Sequence, residues 1–495
     1  MQFVKTVVLV GVAANLFAAD QTLAAPDGAK RYGSFAEYLS DCHKVHVCNG
    51  VYLVARNGKP VFEGAFGEAG DERATALKTT DRFDIGSISK QFTAMAVLKL
   101  VADARLSLDD KLTAHFPAFP YGDVTIRHIL SHTSGIPDVL PYYSKQLRSN
   151  PENAPITGDD IISVLAESNV PAEFSPGTRY SYSNSGYIVL AALVEQVARQ
   201  PFDVFLEQSF FRPLGMQNTF LRTPGNADFT AARAWGFLPS PVGNRRRVDQ
   251  LPKFFIRGAG GIYSTASDLL KWQNALNSGR VVPRRLYRQA TTAARLLNGE
   301  EVPYGLGFSL KPDADGARRF SHAGHWRAFK SDLSHYPDSR ITVIQLTNNG
   351  QDDSVDANVA ALATIARGNT TPAILGPIGW DLVARVNSGD AALVQMWFKE
   401  EFTASPRRYR IEEAELNSIG YAYLNQKNTD KAETIFALAT MAFPDSVNAL
   451  DSLADAQEAR GDIRAAHASI VAALAIDPRS EGLKKRAAVL LSKLP

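Results

Sequence analysis

Apolar positions recur along the chain in two rhythms. Between Val51 and Phe62 they form strand-like stretches broken by Asn57-Gly58, a dipeptide that tolerates positive φ and favours a tight hairpin turn. From Ser87 the rhythm changes. Ala94, Val97, Leu98 and Val101 fall at helical spacing with few polar residues between them, which predicts a helix buried on most sides. A second apolar helix is predicted around Ile188 to Val197, after a long stretch punctuated by Pro and Gly. Tyr304 to Leu310, Arg319 to His322, Phe329 to Tyr336 and Ile341 to Thr347 read as short strands, with Asp338-Ser339 at one turn, and Phe35 to Leu39 reads as a short helix. Strands at both ends and helices between them predict an α+β unit over residues 26–369, with one sheet assembled from both termini of the segment.

Past Thr370 the composition shifts towards Ala, Leu, Glu and Lys, and a 34-residue repeat emerges: Gly420 aligns with Ala454, Ala432 with Ala466, Phe436 with Ile470 and Pro444 with Pro478. The period resembles tetratricopeptide helix pairs, in which small residues let two helices approach and Pro ends the second. Residues 412–495 then read as tetratricopeptide-like repeats, and 370–411 as a helical linker. So short an array is expected to lean on Trp380 to Phe402 or on the preceding unit. Such a tail is either a protein-binding groove or a packed helical cap, and the cap is the favoured reading.

With 495 residues, 45% of them hydrophobic and 21% charged, the chain has the composition of a globular protein with room for more than one core. A formal charge of +2 provides no global field for a phosphate backbone, so nucleic acid is not an expected partner. The one dense basic run, Arg245-Arg246-Arg247, reads as a solvated loop. At the start, Lys5, the apolar stretch Thr6 to Ala19 and the small residues of Thr22-Leu23-Ala24-Ala25 read as a signal peptide over residues 1–25, with an uncleaved anchor as the alternative. The expected product is exported, periplasmic or secreted, without stable membrane insertion after cleavage. Cys42 and Cys48 are the only cysteines. In an oxidising compartment they are disulfide candidates; a metal site with His43 and His46, or two free thiols, are the other readings.

Three short motifs carry candidate chemistry. Ser87-Ile88-Ser89-Lys90 is the only Ser-x-x-Lys, placed where a strand-like segment hands over to the buried helix. Residues i and i+3 share a helix face, and the positive end of the helix dipole helps Lys90 lose its proton and serve as a base for Ser87. Tyr182-Ser183-Asn184 follows a Pro-Gly turn. In an extended segment its first and third side chains face one cleft, where Tyr182 could act as phenolate or relay protons and Asn184 could bond Lys90 or a substrate carbonyl. His322-Ala323-Gly324 ends a candidate strand, and the amides of Ser87 and His325 could form an oxyanion hole.

In this order the motifs resemble those of the serine β-lactamases, penicillin-binding proteins and their esterase and D-aminopeptidase relatives: Ser-x-x-Lys, Tyr-x-Asn and Lys- or His-x-Gly. Ile126 to Gly135 and Gly258 to Asp268 resemble accessory stretches of the same family. The resemblance spans most of Val51 to Thr347. It implies a β-lactamase/transpeptidase-like antiparallel sheet flanked by helices, and an acyl-enzyme mechanism with Ser87 as nucleophile, Lys90 and Tyr182 handling its proton, and Asn184, His322, Gly324 and His325 at the substrate. Position 322 carries His where β-lactamases typically have Lys, which weakens recognition of a substrate carboxylate. A small ester or amide therefore ranks above a β-lactam or a peptidoglycan peptide, and a catalytically idle cell-wall sensor is the non-enzymatic alternative. No metal or organic cofactor is expected. His132 reads as a capping or packing residue, and the loops at 138–155 and 237–252 show no motif.

Overall fold

The computed structural model describes residues 30–72, 74–141, 156–167, 170–350 and 354–494; the expected signal peptide over residues 1–25 and most of the 138–155 loop lie outside the described residues. Helix α1 (Phe35–Lys44) leads into the hairpin β1 (Gly50–Arg56) and β2 (Lys59–Phe66), turned at Asn57 and Gly58, both with positive φ. Helices α2 (Ser89–Ala102), α3 (Asn184–Ala198) and α4 (Ala266–Ser278) follow. The chain then returns to the sheet as β3 (Phe320–Trp326), β4 (Phe329–Tyr336) and β5 (Ile341–Thr347), and closes it with α5 (Ser354–Ala366). The five strands are ordered β3-β4-β5-β1-β2, antiparallel throughout.

Alternation along the strands sorts side chains between two cores. Val51, Leu53, Ile344 and Leu346 face the large helical core, whereas Tyr52, Val54, Ile341 and Val343 face α1 and α5. Both faces are covered, so each fully buried apolar side chain contributes about 1.5–3 kcal/mol. Helix α2 runs through the helical core, where Phe92 stacks on Trp272 of α4 at 4.1 Å. Its burial is the reason a lysine in its first turn is chemically unusual.

Two expectations are corrected. Tyr304 to Leu310 is not a strand; it makes isolated bridges only, Tyr304 to Ser309 and Ser309 to Ser321. Its glycines serve close approach instead: a Cβ on Gly305 would stand 2.0 Å from Ala290 O, and one on Gly307 2.6 Å from Ala94 Cβ in α2. The run Arg245 to Arg247 is solvated at Arg246 and Arg247, but it is not a loop. Arg245 pairs with Glu68 and the Asp71 carbonyl, Arg247 lies 4.2 Å over the Trp235 ring, and Arg246-Arg247 pairs with Phe237-Leu238 in a small hairpin.

The C-terminal region is helical: α6 (Gly379–Ser388), α7 (Ala391–Thr403), α8 (Glu413–Asn425), α9 (Thr429–Ala442), α10 (Val447–Arg460), α11 (Ile463–Ile476) and α12 (Glu481–Ser492). The starts of α8, α10 and α12 are 34 residues apart, as are those of α9 and α11. Gly420 shows why small residues recur: a Cβ there would lie 2.4 Å from the Phe436 ring. Helices α6 and α7 share one apolar core with α8 and α9, and His46 stacks on Trp380 at 4.2 Å.

Candidate active site

Ser87 lies on a single 3-10 turn, Gly86–Ile88, directly before α2. Asp84 Oδ1 accepts from the Gly86 amide at 2.7 Å and shapes the entry to the turn. One helical step on, Lys90 is fully buried, and its Nζ lies 2.9 Å from Ser87 Oγ, 2.8 Å from Asn184 Oδ1 and 2.9 Å from the Ala259 carbonyl. Two of these partners are pure acceptors. A neutral amine has two N–H donors for them and a lone pair left for the serine hydroxyl. Burial drives Lys90 down to about 7, partly offset by the charge of Asp138.

Asn184 and Tyr182 reach Lys90 differently from the extended-segment expectation. Ser183 is the extended N-cap of α3, its side chain accepting from the Gly186 amide, and Asn184 is the first helical residue. Asn184 Nδ2 donates to Asp138 Oδ2 at 2.8 Å, and Ser185 Oγ donates to Asp138 Oδ1 at 3.0 Å. Asp138 therefore fixes the amide so that its oxygen faces Lys90. The sequence marks no role for it, since a lone Asp at the start of a loop is ordinary. The Tyr182 ring lies 4.7 Å below Lys90 Nζ and its hydroxyl faces Ser87. Although 37% of Tyr182 is exposed at the cleft mouth, burial of the phenol pushes its pKa well up. At rest it is a neutral proton donor, not a phenolate.

His132 packs, and it packs here. Its carbonyl accepts from the Ser181 amide at 2.9 Å and its Nδ1 from the Ser183 amide at 3.1 Å, while its ring lies 4.2 Å from that of Tyr182. One residue thus holds the backbone on both sides of Tyr182. Its Nε2 is buried without a hydrogen-bond partner among the described residues, and burial beside Lys90 holds its pKa well down.

His322, Gly324 and His325 lie within β3, not at its end. The strand runs tightly along the serine turn: a Cβ on Gly324 would stand 1.9 Å from Ile85 O and 3.3 Å from Ser87 N, and one on Gly86 2.8 Å from His325 N. The backbone at Ser87 and the backbone at His325 therefore lie side by side. His322 does not offer a free nitrogen to substrate. Its Nδ1 bonds the Ala323 carbonyl at 2.7 Å, which leaves Nε2 to accept from Tyr304 O–H at 2.9 Å, and burial beside Lys90 lowers its pKa to about 3. The sequence does not single out Tyr304, because its local pattern is that of a strand.

These groups open into a cleft of about 780 Å³, whose far wall includes Phe254, Phe255, Gln250 and Trp326. Trp326 Nε1 donates to Gln250 Oε1 at 2.6 Å, and Gln250 Nε2 donates to Asp84 Oδ2. Away from the cleft, Cys42 and Cys48 are bonded to each other, which removes the metal-site reading with His43 and His46. Among the described residues no group of three or more His, Cys, Asp or Glu is arranged to hold a metal ion.

Comparison with known proteins agrees with this geometry. A penicillin-binding protein of Bacillus subtilis is 30% identical over 332 residues, covering 64% of this chain and 72% of that protein. A D-aminopeptidase of Brucella canis is 28% identical over 322 residues, covering 63% of this chain and 59% of its own, so the chain spans less than two thirds of that relative. Among solved structures, a penicillin-binding protein of Bacillus halodurans superposes with a TM-score of 0.56 at 26% identity, covering 66% of this chain and 98% of that one. A D-amino acid amidase of Ochrobactrum anthropi shares the fold, with a TM-score of 0.55 at 21% identity over 67% of this chain and 96% of the amidase. The β-lactamase family model matches residues 35–366, more than half of the chain, and with that match the chain belongs to the β-lactamase family of serine hydrolases.

Proposed function

We propose that this chain hydrolyses a small, neutral ester or amide through an acyl-enzyme on Ser87. The observation that carries the reading is Lys90 Nζ at 2.9 Å from Ser87 Oγ, fully buried and driven down to about 7. Neutral Lys90 takes the hydroxyl proton as Ser87 Oγ bonds the carbonyl carbon, and the amides of Ser87 and His325 hold the oxyanion. Tyr182, a phenol at rest, passes a proton to the leaving group as its bond to the acyl carbon breaks, and regains one from the Lys90 ammonium, so that both groups are neutral again. Water then adds to the acyl-enzyme, gives one proton back through the same groups to Ser87 Oγ, and releases the acid.

The preference against an anionic substrate follows from His322. Both its ring nitrogens are engaged within the protein, so this position supplies no cation for a carboxylate beside the scissile bond. The alternative is a DD-peptidase or β-lactamase, favoured by the relative from Bacillus subtilis, whose name records penicillin binding. Steady-state assays on aryl esters, N-acetylated D-amino-acid amides and benzylpenicillin separate the two. Ester or amide turnover without a lasting penicillin adduct is expected; a stable penicilloyl adduct on Ser87 without ester turnover would overturn the neutral-substrate reading.

Export belongs to the same proposal. It is supported by the apolar leader from Thr6 to Ala19 and by the Cys42–Cys48 disulfide, a bond that persists in oxidising compartments. N-terminal sequencing of the mature protein should find a start near residue 26; a mature chain that begins at Met1 would contradict cleavage.

A further inference from the structure

The helical C-terminal region has no part in the chemistry proposed above, yet one residue of the hydrolase unit lies in its core. Val242, at the tip of the hairpin formed by Phe237–Leu238 and Arg246–Arg247, is 8% exposed and packs in the same apolar cluster as Ile378, Leu382, Leu416 and Ile419. Beside it, Gly243 lies so close to α8 that a Cβ would meet Gln426 Nε2 at 3.1 Å.

The other end of the hairpin reaches the cleft. Val248 N bonds Gly236 O at 2.8 Å, and the Asp249 carboxylate accepts from the Gly236 amide at 3.1 Å and from Arg233 at 2.7 Å. These bonds make the hairpin base stiff. The next residue, Gln250, bridges Trp326 and Asp84, and Asp84 holds the Gly86 amide before the nucleophile. Phe254 continues into the cleft wall, and Arg222 holds its carbonyl and that of Pro252 at 3.1 Å each.

We propose that the helical region is a specificity element of the hydrolase: by gripping the hairpin at Val242 it fixes the Gln250–Phe254 wall, and so sets which acyl groups fit beside Ser87. The inference rests on Ser87 being the nucleophile. Removing the grip leaves Ser87, Lys90 and Asn184 with the bonds they make to one another, and Asp84 with its own bond to the Gly86 amide, because the hairpin reaches them only through Gln250 on the second oxygen of Asp84. What changes is the wall, and a bulky substrate that leans on it loses more than a small one.

The test uses the full chain and compares Val242→Asp, which puts a charge into the apolar cluster, with Val471→Asp on the exposed face of α11. Hydrogen exchange across residues 237–252 reports the hairpin, and the ratio of kcat/KM for a phenylacetyl ester to that for an acetyl ester reports the wall. The expected result for Val242→Asp is faster exchange in the hairpin and a selectivity ratio changed about tenfold, with acetyl-ester turnover within about twofold of wild type and Val471→Asp unchanged in both. Faster exchange with an unchanged ratio would overturn the proposal. So would unchanged exchange, since the helical region would then not hold the hairpin. If Val242→Asp fails to fold, Val242→Ala makes the same prediction with a smaller change. Failure of Ser87 itself shows separately, as absence of active-site labelling in the wild type.

Discussion

Lys90 meets the site as a buried amine whose charge is disfavoured and whose lone pair faces a hydroxyl. With its pKa near 7, kcat/KM should rise with pH through that region as the amine deprotonates. Asp84, pushed up to about 7 by burial, titrates in the same range, so Asp138→Asn identifies the lysine. Asp138 raises the Lys90 pKa; its neutralisation should move the acid limb to lower pH and reduce kcat by releasing Asn184, and an unmoved limb would assign the titration elsewhere. Folding linkage gives a second check on Lys90. Its folded pKa lies below the unfolded value, so between about 7 and 10.5 the unfolded chain binds the extra proton. Wild type should therefore gain stability over Lys90→Met as pH rises across that window, with no change in the difference below it. His132→Ala should lower kcat by about 10- to 100-fold with KM little changed, because it removes the Nδ1 acceptor of the Ser183 amide and the ring packed on Tyr182, whereas a merely structural role would lower Tm and leave the surviving enzyme's kcat intact. The three motif residues that meet at Lys90 were legible in the sequence because their spacing encodes chemistry. Asp138 and Tyr304 were not, because their roles depend on which segments the fold brings beside Asn184 and His322.

Between elements, the tightest constraint is the contact of β3 with the serine turn. Gly324→Ala puts a Cβ within 1.9 Å of Ile85 O, so the strand has to move and the His325 amide with it. A fall in turnover of about 100-fold or more is expected, together with a destabilisation of roughly 1–3 kcal/mol, read by ester kinetics and thermal melts of the same preparation. Near-normal turnover would show that the oxyanion gap lies elsewhere. Elements whose apolar rhythm matched their burial were legible: β1 and β2 from Asn57-Gly58, α2 and α3 from their apolar runs. The segment from Tyr304 was misread because Gly305 and Gly307 answer to Ala290 and α2, neighbours that a local pattern cannot name. The Arg245 to Arg247 run reads as a loop for the same reason; Glu68, which pairs with Arg245, lies 177 residues away.

At the scale of the whole chain, an antiparallel sheet with buried helices carries the site, and a helical region with a 34-residue period follows it. That period was legible because Gly420, Ala432 and their counterparts are small for one repeated reason. Its attachment through Val242 and through His46 on Trp380 was not, since neither side shows a motif. The Cys42–Cys48 bond closes the short loop that carries His46. Closing a loop of this size contributes about 2 kcal/mol through the unfolded state, so Cys42→Ser with Cys48→Ser should lower the denaturant midpoint, and reductant should bring wild type to the same value. The chemistry of the molecule depends on Ser87 being an activated nucleophile, and intact-mass analysis after exposure to a fluorophosphonate, with folded Ser87→Ala alongside, addresses that claim. One adduct on the wild type and none on Ser87→Ala is the result predicted here; an adduct that persists in Ser87→Ala, or a well-folded wild type that takes none, would contradict it.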